Sequence, residues 1–204
     1  PHPSHRRHCV ILQIPDECRI KIPQAFRDEY GRTRPAWGPI GETVFMRTYS
    51  MLQDDGHRER WVDTTARVAE GHFALLKRQA LRADAWWSDE KAQRMMLESA
   101  SRQFQFKWTP AGRGLQFMGS RTMEVKGGAV GMSCAFTSTK NIGTDFPEPF
   151  CRMFDLLMLG VGVGFDDKGK GKLTLHWNGD SEEEHVLEDT REGWIGALRA
   201  LLLA

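Results

Sequence analysis

The sequence predicts an α/β fold with a helical N-terminal part, and three observations support that prediction. Apolar residues recur at helical spacing from residue 59 to residue 104. Short apolar runs at 131–136, 160–165 and 173–177 are typical of strands, the first of them buried. A helical pattern that begins at Pro149 separates the first two runs. Strand, helix and strand in that order indicate a sheet with a helical crossover.

Two helices are expected in the first half of the chain. The first runs from residue 59 to about residue 82, and Gly71 is expected to break or bend it. Ser88 has a side chain suited to an N-cap, so the second helix is expected from there to Phe104. The residues expected to face the core are Trp61, Val62, Thr65, Val68, Phe73, Leu75, Leu76 and Ala80 in the first helix and Ala92, Met95, Met96 and Ala100 in the second.

The second half contains more turns. The glycine-punctuated segment 109–121 predicts turns and short extended pieces. The tetrapeptide at 189–192, Asp-Thr-Arg-Glu, has the layout of a capping box and is expected to open the last helix.

The run at 160–165 alternates two kinds of residue. One side of the predicted strand carries Val161, Val163 and Phe165, and the other carries only Gly160, Gly162 and Gly164. A glycine face offers bare backbone to whatever lies against it. Two occupants remain open from these residues alone: a ligand, or a tightly packed element of the protein, which is the commoner case.

Composition and charge exclude several classes of protein. The 204 residues are 40% hydrophobic and 27% charged, an ordinary globular composition with enough apolar residues for a core. A formal net charge of +1 argues against binding of nucleic acid through a basic surface. The longest apolar run, 198–204, is too short to cross a bilayer, and no signal-peptide pattern opens the sequence, so no membrane partner is expected.

The four cysteines show no paired spacing. That pattern predicts a reducing compartment, and therefore the cytoplasm, rather than a disulfide scaffold. The histidines beside the first cysteine fit no zinc-binding spacing, so no metal site is expected there. The cysteines are Cys9, Cys18, Cys134 and Cys151.

Six segments together carry a resemblance to a known family. They are GETVFMRTYS at 41–50, RERWVDTTARV at 58–68, TPAGR at 109–113, SCAF at 133–136, MLGVGVGF at 158–165 and EDTREGW at 188–194. In this order they resemble the N-terminal portion of the adenosylcobalamin-dependent, class II ribonucleotide reductases of the monomeric ribonucleoside-triphosphate reductase type. The resemblance covers roughly residue 20 to the end of the sequence.

The resemblance implies a fold and an activity. The implied fold is a helical region followed by the first part of a ten-stranded α/β barrel, truncated here, which divides the chain into a leader at 1–18, a mainly helical region at 19–107 and barrel sequence at 108–204. The implied activity is the reduction of ribonucleotides to 2′-deoxyribonucleotides by a thiyl radical for DNA synthesis. Adenosylcobalamin is the implied cofactor, with most of its contacts outside this chain.

The resemblance also implies roles for four residues. Cys134 matches the N-terminal member of the pair of cysteines that reduces the substrate, whereas a lone thiol without this match is more often a buried structural cysteine. Thr109 and Ser133 match positions that hydrogen-bond the phosphate and sugar of the substrate, and their ordinary role would be polar residues of a turn and a strand end. Gly162 matches the glycine that approaches the substrate.

The remaining cysteines match no family role. Cys151 is expected to be a core residue, although its place near a helix N-terminus makes a lowered pKa possible. Cys9 and Cys18 receive no assignment.

The implied partners are a ribonucleotide substrate, a nucleotide effector, a thioredoxin-type reductant and the C-terminal remainder of the reductase. In the family the radical cysteine and the second reducing cysteine lie further along the chain, so the 204 residues alone are not expected to turn over. The alternative hypothesis is a catalytically inactive nucleotide-binding or assembly module, such as half of a split protein.

Overall fold

The computed structural model of the protein describes residues 12–174, 176 and 184–203. The chain divides into two compact units, Pro1–Gly131 and Met132–Ala204, and each is described by itself. The first unit is helical and the second contains a small sheet, so the predicted α/β class with a helical N-terminal part is confirmed. The domain boundaries implied by the resemblance stay a prediction.

The first unit consists of α-helices and two short 3-10 turns. The turns are Asp16–Cys18 and Gly128–Gly131. The helices are α1 (Gln24–Gly31), α2 (Gly41–Thr48), α3 (Trp61–Arg82), α4 (Asp89–Phe104), α5 (Gly112–Phe117) and α6 (Arg121–Lys126).

The two long helices that the apolar spacing predicts, α3 and α4, pack against each other and form the centre of the core of the first unit. The Ser88 hydroxyl oxygen accepts a hydrogen bond from the backbone N–H of Lys91 at 3.2 Å, which confirms the predicted N-cap. Most of the predicted core positions are buried. Met95 and Leu76 are 50% and 45% exposed, so their assignment to the core was wrong. Both lie on the border of the apolar stripe, where spacing alone does not separate core from surface.

Gly71 does not break α3, because the helix continues through it. A Cβ atom placed on Gly71 would lie 2.3 Å from Cα and 2.4 Å from N of Gly119. Gly119 has φ of +71°. The glycine in the helix is therefore explained by a close approach of two backbones rather than by a bend.

The segment 109–121, expected to be turns and extended pieces, contains α5 and the start of α6 instead. In α5 the backbone N–H of Leu115 donates to the carbonyl oxygen of Ala111 at 3.1 Å. The Ser120 hydroxyl oxygen caps α6 by accepting from the N–H of Met123 at 3.2 Å. Glycine content suggested turns, but local helical hydrogen bonds and a serine cap determine the structure.

The second unit contains a strand–helix–strand motif. Strand β1 (Cys134–Thr137) and strand β2 (Gly162–Phe165) are parallel, and α7 (Glu148–Met158) connects them. Pro149 lies in the first turn of α7, as predicted. The last helix, α8 (Arg191–Leu203), packs against α7.

Two predictions at the end of the chain need correction. Thr190, rather than Asp189, caps α8, because its hydroxyl oxygen accepts from the N–H of Gly193 at 2.9 Å. Leu173, Thr174 and His176, three of the five residues predicted as a strand, are not in a strand, and the other two lie outside the described residues. None of the described helices is both long and apolar enough to cross a membrane.

Candidate functional site

The register of the two strands places the predicted thiol beside the predicted glycine. Cys134 is the register partner of Gly162. Partners in a parallel pair project to the same face of the sheet, because side chains alternate along both strands in step. The N–H of Gly162 donates to the carbonyl oxygen of Ser133 at 2.9 Å and fixes this register at the start of both strands.

The face that carries the thiol is open. Cys134, Gly162 and Gly164 are all exposed, and Phe136 on the same face is 61% exposed. A Cβ atom on Gly162 would meet only the Ser133 carbonyl oxygen, at an ordinary 3.6 Å. No described part of the chain therefore fills the space over Gly162. The strand predicted at 131–136 forms at Cys134–Thr137, but the expectation that it is buried was wrong, because the described residues leave this face uncovered.

The opposite face of the sheet is covered in part, since Phe165 on this face at the end of β2 is 68% exposed. Its residues on β1 are Ala135 and Thr137, and Thr137 is buried. Helix α7 packs against both strands. Val161, just before β2, is also buried. The sheet is thus supported from behind, and the thiol face has a fixed direction.

The carboxylate of Asp166 lies at the other end of the strand pair, where both strands have their carboxyl ends. Asp166 directly follows β2, and its carboxylate accepts hydrogen bonds from the Ser138 hydroxyl at 2.8 Å and from the N–H of Thr139 at 2.9 Å. The Thr139 hydroxyl is within 2.9 Å of the same carboxylate and in turn accepts from the N–H of Gly169. These bonds join the loops that leave the two strands at their carboxyl ends.

The same hydrogen bonds control the charge of Asp166. Partial burial raises the pKa of Asp166, but the hydrogen bonds from Ser138, Thr139 and the N–H of Lys168 outweigh it and hold that pKa at about 2. Sequence reasoning assigned no role to Asp166. The available signal was an aspartate at the end of one strand and a Ser-Thr pair at the end of the other, since carboxyl ends of parallel strands meet at one edge.

The structure brings three of the four predicted site residues together. Ser133, Cys134 and Gly162 lie at the start of the strand pair. The Ser133 hydroxyl is exposed and makes no hydrogen bond within the part of the chain that is described. Thr109 is exposed in the segment before α5, in the first unit.

The other described cysteines are core residues. Cys18 and Cys151 are 1% and 2% exposed. Burial raises the pKa of Cys151, so the possible lowering of its pKa is contradicted, and its assignment to the core is confirmed. Cys9 and the histidines beside it lie outside the described residues. Within residues 12–174, 176 and 184–203 no group of three or more His, Cys, Asp or Glu side chains could hold a metal ion.

Comparison with known proteins gives concordant matches. The sequence model of a family described as "Ribonucleotide reductase alpha domain" matches residues 23–120. The adenosylcobalamin-dependent ribonucleoside-triphosphate reductase of Euglena gracilis is 37% identical over 212 residues, which cover 100% of this chain and 29% of that protein. A protein of Dictyostelium discoideum named as a probable enzyme of the same kind is 33% identical, over 90% of this chain and 27% of its own length.

A solved structure matches the fold. The crystal structure of a B12-dependent, class II ribonucleotide reductase aligns with a TM-score of 0.71 over 90% of this chain and 32% of that chain. Sequence identity in this alignment is 22%, so it supports the fold alone. The chain spans less than a third of the length of the relatives that it matches.

Proposed function

The chain belongs to the adenosylcobalamin-dependent ribonucleotide reductase family, corresponding to the N-terminal portion of its members, and from that premise we propose that it is part of an enzyme that reduces ribonucleotides to 2′-deoxyribonucleotides. In this proposal Cys134 is one of two thiols that reduce the substrate. Gly162 lets the sugar approach, and Ser133 and Thr109 contact its phosphate and hydroxyl groups.

One observation carries the proposal: an exposed thiol shares an open sheet face with a glycine whose missing side chain leaves space. Cys134 and Gly162 are register partners, and no described residue occupies the position of a Gly162 side chain. A group that enters this space would contact backbone and sulfur directly. Because α7 supports the sheet from behind, the thiol approaches such a guest from a fixed direction, which favours reaction.

The chemistry requires a second thiol. The 2′ hydroxyl of the sugar leaves as water, a hydrogen takes its place, and two thiols lose their hydrogens and join as a disulfide. Two electrons and two protons thus pass to the substrate. Both other described cysteines, Cys18 and Cys151, are buried, so neither can meet Cys134 on its open face. The partner thiol is therefore expected to come from a cysteine outside the described residues, and a thioredoxin-type protein would then reduce the disulfide.

Adenosylcobalamin supplies the radical that starts this reaction when it is bound to such enzymes. The open sheet face does not by itself offer a site for it. Each strand of the sheet has four residues, so the open face is about 13 Å long and about 5 Å wide. That surface is too narrow to hold a corrin ring, and we derive no step through the cofactor.

The polar residues suit an anionic substrate. The Ser133 hydroxyl has no partner within the described residues, so it can donate to a phosphate or sugar oxygen without losing an existing hydrogen bond. The parallel pair with its helical crossover is compatible with the first two strands of the ten-stranded barrel that the family resemblance implies. A nucleotide effector, which the resemblance also implies, remains a partner in this proposal.

The test is Cys134→Ser in the complete enzyme, supplied with adenosylcobalamin and a thioredoxin-type reductant. A hydroxyl cannot form the disulfide, so we expect multiple turnover to be abolished. Product formed per enzyme is the measurement, in a single-turnover and in a steady-state experiment. Unchanged steady-state turnover would reject the role of Cys134.

The matched control is Cys151→Ala, which removes a thiol that lies in the core on α7. It is expected to lower stability slightly and to leave turnover per folded enzyme unchanged. If Cys134→Ser and the wild-type protein bind nucleotide equally and neither turns over, the inactive binding module becomes the better description.

A further inference from the structure

A buried ion pair lies where α3 meets α5 in the first unit. Two side-chain nitrogens of Arg67 donate to the Glu59 carboxylate at 2.7 and 2.9 Å, and the two side chains are only 13% and 7% exposed. The Thr64 hydroxyl donates to the same carboxylate at 2.8 Å. Burial removes water from both charges, so such a pair is stable only when its remaining donors and acceptors also find partners. Those partners show what the pair holds together.

The remaining hydrogen bonds of Arg67 go to the end of α5. One terminal nitrogen of its guanidinium donates to the carbonyl oxygen of Met118 at 2.6 Å, and the other donates to that of Leu115 at 3.0 Å. Leu115 lies in the last turn of α5, and Met118 directly follows the helix. Carbonyl groups at a helix end lack partners within the helix, and here one guanidinium supplies them. Arg67 therefore fixes α5 on α3.

The other end of α5 leads directly to the exposed Thr109. Pro110 follows Thr109, and its ring lies against the helix, because a Cβ atom on Gly114 would lie 3.0 Å from Cβ of Pro110. The backbone N–H of Gly114 donates to the carbonyl oxygen of Ala111 at 2.7 Å. Proline fixes its own φ and restricts the residue before it to extended backbone. The direction of Thr109 therefore follows that of α5.

We propose that Arg67, held by Glu59, is a positioning residue for the reductase, because it fixes α5 and thereby presents Thr109 to the substrate. This inference rests on the proposed function, in which Thr109 contacts the nucleotide. Arg67 is nearly buried and its guanidinium is already bonded to a carboxylate and two carbonyls, so it acts through Thr109 rather than on the substrate itself. The segment 58–68, which contains none of the proposed site residues, thus acquires a role.

The experiment uses Arg67→Lys in the complete enzyme with adenosylcobalamin and a thioredoxin-type reductant. Lysine keeps the charge but has one nitrogen, which cannot reproduce the planar fork that joins Glu59 to two carbonyls. We expect kcat/KM for the ribonucleotide, per folded enzyme, to fall by at least roughly tenfold, because a displaced binding group loses its contact. A contact made in both ground and transition states affects binding, so KM should rise more than kcat falls.

The decisive measurement combines Arg67→Lys with Thr109→Val in a double-mutant cycle. If Arg67 acts through Thr109, the double variant should lose little more kcat/KM than Thr109→Val alone, whereas independent effects multiply. Multiplied losses would overturn the proposal. An unchanged kcat/KM in Thr109→Val would also overturn it, by removing Thr109 from the site, and would leave the role of Cys134 standing. Failure of the reductase proposal itself would appear in the Cys134→Ser turnover experiment.

A second variant separates positioning from folding, because a change within a buried ion pair can unfold a protein. Glu59→Leu/Arg67→Met replaces both charges by apolar side chains, leaves no buried unpaired charge and also removes the hold on α5. The same rise in KM is expected from it. In both variants hydrogen exchange should accelerate in peptides from α5 and stay unchanged in peptides from α4. Unchanged exchange in α5 would show that Arg67 does not fix this helix, and the proposal would be wrong.

The matched control is Arg27→Lys. Arg27 is another partly buried arginine, and its hydrogen bonds go to Asp63 and Glu70 on α3 rather than to α5. Because it shares no partner with Arg67, its substitution is expected to change KM by less than about twofold. If Arg27→Lys raises KM as much as Arg67→Lys does, the effect reflects general destabilisation of the first unit, and Arg67 has no positioning role.

Discussion

At the scale of single residues, the absence of a side chain leaves open space at one glycine of this chain and permits close packing at another. At Gly162 the space of a side chain is open, and the thiol of the register partner Cys134 lies on the same face. At Gly169 a Cβ atom would lie 2.7 Å from the Thr139 carbonyl oxygen, so glycine there permits tight loop packing. The sequence shows only glycine at both positions. Which one leaves room for a guest depends on neighbours that are distant in sequence.

Asp166 offers a residue-scale prediction with a pH dependence. Its folded-state pKa of about 2 lies below the usual value of about 3.9 for aspartate. A lowered pKa contributes stability that is fully present above the unfolded value and is lost as the pH falls through the folded value. We expect Asp166→Asn to lower the melting temperature at pH 7. The difference from wild type should narrow as the pH falls from about 4 towards about 2.

The control for this experiment is the adjacent Asp167→Asn. The Asp167 side chain is exposed and accepts no hydrogen bond among the described residues, so its loss should leave the melting temperature nearly unchanged. A difference in melting temperature between wild type and Asp166→Asn that stays constant from pH 7 to pH 3 would contradict the role of the ionised carboxylate.

At the scale of elements, the long helices were predictable and the short ones were not. The apolar period across α3 and α4 spans many turns, so single errors such as Met95 do not hide it. α5 and α6 have six residues each, too few to show a period, and their glycines favoured a turn prediction.

The thiol and glycine of the site came from the family resemblance, whereas their register required the structure. Asp166 was missed because its hydrogen-bond partners, Ser138 and Thr139, follow the other strand of the pair.

The contact between α3 and Gly119 gives an element-scale prediction. Alanine normally favours a helix over glycine by about 1 kcal/mol. In Gly71→Ala, however, the new Cβ atom would lie 2.3 Å from Cα of Gly119, and backbone cannot move aside as a flexible side chain can. We therefore expect a net loss of roughly 1–3 kcal/mol in the free energy of unfolding, measured by urea denaturation.

Gly196→Ala in α8 is the matched control, because a Cβ atom there would meet nothing within 4 Å. It should raise helix stability by roughly 0.5–1 kcal/mol, as helix propensity alone predicts. If both substitutions stabilise the protein, the close approach of α3 to Gly119 is not present in solution.

At the scale of the whole molecule, the two units differ in how much apolar surface they bury. The large buried cluster, with Trp61, Met96 and Phe104, belongs to the first unit. In the second unit α8 contributes no buried residue. Trp194, Leu201 and Leu203 on that helix are 45%, 75% and 61% exposed. Such exposed apolar side chains are typical of a surface that other sequence covers.

This difference leads to a prediction about local stability. Amides in α3 and α4 are expected to exchange with deuterium most slowly, because their opening requires disruption of the large core. Amides in α8 should exchange much faster, since no residue of that helix is buried and two ion pairs, Arg199 with Glu148 and Arg191 with Asp155, help to hold it on α7. Hydrogen exchange read by mass spectrometry on the chain of 204 residues provides the measurement, with α4 peptides as the internal reference.

Raising the salt concentration should speed exchange in α8 and leave α4 unchanged, because partly exposed ion pairs are screened and a buried apolar core is not. Equal protection of α8 and α3 at low salt would mean that apolar burial, rather than these ion pairs, fixes the last helix.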